Sequence, residues 1–208
     1  MNSQGLTDGR YRYCADGIMS ADDFSGLEFL LTEVSSGYKN GDTSKISFDH
    51  YKAMFGMLAM IRTLAQKYNK GSLETFRKLR IHFLHAHGDA IRHWTLSAQE
   101  QNVYIMNKEQ KVIVPVDFKE KDVTILPFIQ FHLTLAAGCK ESLQVISQLK
   151  KEHKVAEKKA TTSTSSNNSR SRLLNMIDPV IVRLNEGKRM NIVAEEGPSS
   201  MPNSPDHD

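Results

Sequence analysis

The chain has 208 residues, 39% of them hydrophobic, and a net charge of +3; this suits one domain with extensions, the apolar deficit lying mainly in the C-terminal quarter. Its two cysteines, Cys14 and Cys139, exclude a disulfide framework and a zinc ribbon and point to a reducing compartment, cytoplasmic or nuclear. The polar N-terminus does not read as a secretory signal, and the longest apolar segment, Ile125 to Gly138, is broken by Gln130 and His132 and is shorter than the ~18–20 residues of a membrane span.

Residues 1–19 read as a flexible N-terminal arm. Its Arg10-Tyr11-Arg12-Tyr13 run would suit base stacking with phosphate contacts, or tyrosines packed on the body. A helical core domain is expected over 20–157. Ser20 with Asp22 and Asp23 has the composition of a helix start, and Phe24, Leu27, Leu30, Leu31 and Val34 recur at helical spacing. Lys39 to Lys45 is a loop rich in turn formers. Ser47 caps a second helix, which runs to Tyr68 and is apolar on nearly all sides, as a bundle centre would be.

The most distinctive stretch is Ser72 to Ala98, which holds the single tryptophan, Trp94, and His82, His85, His87 and His93. Projected at about 100° per residue it divides into an apolar face (Leu73, Phe76, Phe83, Leu84, Ile91, Trp94) and a polar one (Lys78, His82, His85, Asp89, Arg92, His93). Ser72 is the expected N-cap, with Glu74 favourably placed in the first turn. On such a helix, His82, His85, Asp89 and His93 are weak metal candidates. Only Asp89 and His93 have the i, i+4 spacing of a helical ligand pair, and further ligands would have to come from His50 or His132.

After Ala98 the pattern changes. Asn102 to Met106 and Lys111 to Val116 are β-branched and aromatic, with Asn107 to Gln110 between them, so a β-hairpin is expected near 102–116, its Pro115 confining one strand to an edge. Helix resumes at Pro127 and stops at Gly138; a last core helix then places Leu143, Val145, Ile146 and Leu149 inward before a lysine run. Residues 158–171 read as a disordered linker, 172–187 as a short helical segment, and 188–208 as a disordered acidic tail.

The expected fold is therefore mainly α: a bundle of about five helices with one β-hairpin, then a linker and a short C-terminal helical segment. The sequence holds no phosphate-cradling glycine loop, nucleophile elbow or internal repeat, and no cofactor is implied. The primary expectation is a non-enzymatic binding or scaffolding protein with a basic, His-rich surface, RNA being the anionic partner that suits it. Its contacts would be Arg77, Lys78, Arg92, Lys150, Lys151, Lys154, Lys158 and Lys159. The alternative is a protein–protein adaptor that uses the hairpin edge, also a route to homo-oligomers, and the segment Leu173, Leu174, Ile177, Ile181 and Leu184. A metal-dependent enzyme is the remoter alternative. A compact helical body, polar linker and charged tail is an organisation shared by small viral accessory or structural proteins and eukaryotic adaptors.

Overall fold

The computed structural model describes residues 15–162 and 173–181. Cys14, the tyrosine–arginine run, Leu184 and the acidic tail lie outside the described residues. A five-stranded mixed sheet replaces the expected helical bundle. Its strands are β1 (Gly17–Ala21), β2 (Leu27–Val34), β3 (Ile81–His87), β4 (Ala90–Glu100) and β5 (Val103–Ile113), in that spatial order. All neighbours are antiparallel except β2 and β3, which run parallel. Their crossover is α1 (Thr43–Lys67) followed by the short α2 (Leu73–Arg77), the long connection that a parallel pair requires. After β5 comes α3 (Lys121–Thr162) and then α4 (Leu173–Met176).

Successive residues of a strand point to opposite faces, and the contacts of β3 show that α1 and α3 flank the sheet. Phe83 and His85 meet His50 of α1, at 5.8 Å between ring centroids in each case. His82, between Ile81 and Phe83, reaches Ser142 of α3 at 2.9 Å. β4 is buried along nearly its whole length, as expected of a strand covered on both sides. The core gathers Leu31, Met57, Ile61, Phe83 and Leu96 with Ile146 and Leu149.

The corrections have local physical causes. The stretch expected to form one amphipathic helix over 72–98 is helical only to Arg77; β3 and β4 follow as a hairpin. Its turn is Gly88–Asp89, with positive φ (64°) at Gly88, a dipeptide suited to a two-residue hairpin connection. Because β3 and β4 are buried on both sides, they show no two-residue alternation, and their apolar residues fell at helical spacing by coincidence. The helix expected from Ser20 to Val34 is instead β1, a single 3-10 turn and β2. The chain reverses at Ser25 and Gly26, whose φ values are 60° and 67°.

The expected hairpin near 102–116 is one continuous strand, β5, paired to β4 through a tight turn at Asn102 (φ 58°). Asn107, Lys108 and Glu109 are exposed on this edge strand, Gln110 turns in under α3, and an irregularity opposite His93/Trp94 accommodates the extra residue. Gly138 does not end a helix: α3 passes through it. A Cβ there would lie 3.2 Å from His82 Cε1, so the glycine admits the imidazole against the helix backbone.

α1 forms where its apolar run lies, starting earlier than Ser47 with Asp42 as N-cap, and Ser72 caps α2 by accepting from the Thr75 amide. The segment after residue 172 docks on the body. Leu173 donates its amide to Asn69 O at 2.9 Å, Leu173, Ile177 and Ile181 are buried, and Asp178 pairs with Arg62 at 3.1 Å. Ile177→Ala is therefore expected to destabilise the whole chain by about 2–5 kcal/mol in urea titrations. A change below about 0.5 kcal/mol would show that this segment does not dock in solution.

Candidate interaction surface

The histidines face inward. Under α3, Ser142 Oγ donates to Arg80 O at 2.8 Å, so it must accept from His82 Nε2–H at 2.9 Å. That leaves His82 Nδ1 as an acceptor for His93 Nε2–H at 3.0 Å. His93 Nδ1 in turn accepts from the Gln110 amide, 3.3 Å away, and Gln110 also donates to Phe131 O at 2.9 Å. Both rings are satisfied only when neutral. Burial, and for His82 the neighbouring His93, lowers each pKa to about 4.

On the other face, Ser35 Oγ donates to Asp49 at 2.7 Å and lies 2.8 Å from His85 Nε2, which is therefore the donor. Lys45 donates to the same carboxylate at 3.0 Å. Ser, His and Asp meet here in an order unlike a nucleophilic triad. The hydroxyl proton points to the carboxylate, and Ser35 is fully buried. Burial, then His87 and His50, pushes His85 down to about 2; His50 and His87 are lowered to about 4, burial again being the main cause. Nearby, Lys52 and Glu33 pair at 2.9 Å. Burial pulls the Lys52 ammonium down, but its bonds to Glu33 and Asp49 outweigh this and raise its pKa. This pair ends a cleft of about 430 Å³ between β1, β2 and α1, walled by Ile18, Leu31, Gly56 and Met60. The cleft is of ligand size, but the pair that would orient a ligand is engaged with itself.

The expected RNA contacts are dispersed. Arg92 is 5% exposed and donates to His87 O at 3.2 Å, so it belongs to no surface. Lys150 is half-buried, over the Phe24 ring and bonded to Asp23 O at 3.1 Å. Arg77 at the end of α2, Lys78 just after it, and Lys151, Lys154, Lys158 and Lys159 on α3 are exposed. Nor do the metal candidates converge: His82 and His93 bond each other, His85 faces α1, and Asp89 sits in the hairpin turn. His132, exposed on α3, donates to Phe128 O. No group of three or more His, Cys, Asp or Glu side chains among the described residues is arranged to hold a metal ion. The basic, His-bearing face expected of a single helix is thus taken apart by the strand geometry.

A different surface takes its place. Phe131, Cys139, Ser142, Ile146 and Leu149 fix one side of α3 to the body. The side turned away carries Leu126 (71% exposed), Leu133 (60%), Ile129 (48%) and Ile125 (43%), and Phe118 just before the helix is 77% exposed. By length and composition this helix is also apolar enough to cross a membrane. The sequence signal was the apolar run itself, but a helix that is apolar all round does not disclose which side is left uncovered. Comparisons with family models, with curated proteins and with solved structures find no match.

The buried imidazoles give stability a defined pH dependence. Their folded pKa values of about 4 and about 2 lie below the ordinary 6.5, so the unfolded chain binds more protons as pH falls through 6.5. Their contribution to stability is expected to be constant above about pH 7 and to fall between about 6.5 and 4, by up to about 1.4 kcal/mol per pH unit for each imidazole that stays neutral. Urea titrations at half-unit pH steps would measure this; no loss between pH 7 and 5 would contradict the neutral, internally bonded rings.

Proposed function

We propose that this chain is a non-enzymatic interaction module that presents the outward side of α3 to a protein partner. The observation that carries the reading is a run of exposed large apolar side chains on a helix whose opposite side is locked into the core. Contiguous exposed apolar surface of this kind marks interaction sites. The segment Leu173, Leu174, Ile177, Ile181 contributes less to such a role, because three of these residues are already buried against the body.

The double variant Leu126→Lys, Leu133→Lys tests the reading. It is expected to keep the wild-type circular dichroism spectrum, since both side chains are solvated in the single chain. Cross-links to other polypeptide chains, formed in native extract at α3 and located by mass spectrometry, should be lost. Cross-links retained unchanged would sink the proposal.

RNA binding remains a second reading, favoured by Lys151, Lys154, Lys158 and Lys159 being exposed along the last turns of α3. A filter-binding assay with single-stranded RNA should then weaken by about tenfold or more between roughly 50 and 200 mM salt. Affinity indifferent to salt would count against it.

A further inference from the structure

We infer that the outward stripe of α3 docks a second copy of this chain, the two helices running antiparallel across a twofold axis. This rests on the reading of that stripe as an interaction surface and names its partner. The exposed residues Asp122, Leu126, Ile129, Leu133, Ala136 and Lys140 recur in alternating steps of four and three. That is the heptad spacing by which two helices share a seam. The buried residues of α3, among them Phe131, Cys139 and Ser142, lie on the other side of the helix, so the seam is free of the fold's own needs. From Asp122 to Lys140 it runs about 27 Å.

The stripe complements itself when reversed. With the axis between Ile129 and Leu133, Ile129 meets the other copy's Leu133, Leu126 meets its Ala136, and Asp122 meets its Lys140. Each contact occurs twice, as a closed isologous interface requires. A parallel pair would instead set Asp122 on Asp122 and Lys140 on Lys140, and would leave a gap where alanine faced alanine. The antiparallel arrangement removes both faults by pairing large with small and acid with base. A lipid surface has no use for that ordered match of size and charge, and a foreign protein does not require the stripe to read alike from both ends.

Sedimentation velocity of the full chain over a dilution series tests this. A monomer–dimer equilibrium is expected. Asp122→Lys and Lys140→Asp should each raise the dissociation constant by about tenfold, since each sets two like-charged contacts in place of two attractive ones. The double variant Asp122→Lys, Lys140→Asp should return it to within about twofold of wild type. Leu126→Lys, Leu133→Lys should be monomeric throughout while keeping its circular dichroism spectrum. A wild-type chain that stays monomeric at every concentration, or a dimer that the reversed pair does not rescue, overturns the inference. A monomer that floats with neutral phosphatidylcholine vesicles assigns the stripe to a bilayer and overturns it too. A monomer that retains stripe-dependent cross-links to other polypeptides leaves the interaction-module reading standing and removes only the second copy.

Discussion

The structure depends on a chain of hydrogen bonds between neutral side chains under α3: Gln110 to His93, His93 to His82, His82 to Ser142, and Ser142 to the Arg80 carbonyl. β4 is covered on both sides, so a polar side chain on it must find its partner inside the protein or cost the fold its desolvation. These four bonds meet that requirement for His93, whereas the indole Nε1 of Trp94 on the same strand is buried without a partner among the described residues. The same bonds also set the rotation of α3 about its own axis. With Gly138 and Ser142 held against His82, the side of the helix that faces the sheet is fixed, and so is the side that faces away. The buried polar contact and the exposed apolar stripe are two consequences of one orientation.

The sequence disclosed elements wherever a strong local signal agreed with its surroundings. α1 is an apolar run that reads as a helix, although its cap is Asp42 rather than Ser47, and Ser72 caps α2 as its side chain allows. It misled where burial on both sides erased the alternation that identifies a strand. In β3 and β4 the histidines and apolar residues are alike interior, so a helical projection could sort them into two apparent faces. The signals that would have corrected this were the turn dipeptides Ser25–Gly26 and Gly88–Asp89, both carrying positive φ. β5 failed for the opposite reason. Its solvent-facing Asn107, Lys108 and Glu109, with Gln110 beside them, resembled a loop, though none of the four has the positive φ of a tight turn.

The candidate site was legible in outline only. The apolar segment around Pro127 to Ala137 stood out as a helix within the expected core domain. That its outward side is left uncovered follows from how α3 sits on β5 and β3, which depends on His82, His93 and Gln110, all distant from it in sequence. Exposure is a tertiary property, and no local pattern specifies it. The lysine run was legible, but Lys150 is committed to Phe24 and Asp23 through a contact across most of the chain.

The two ends of the sheet have a consequence of their own. An open sheet offers unpaired backbone at each margin, which invites the endless lateral stacking that builds fibrils. Here β1 is only five residues long and is irregular at Met19/Ser20. β5 is irregular at its centre and carries Lys108, Glu109 and Lys111 there. A newly arriving strand would meet kinked backbone and charge at either margin. Growth sideways is thereby discouraged, although the border strand β5 is long and partly apolar.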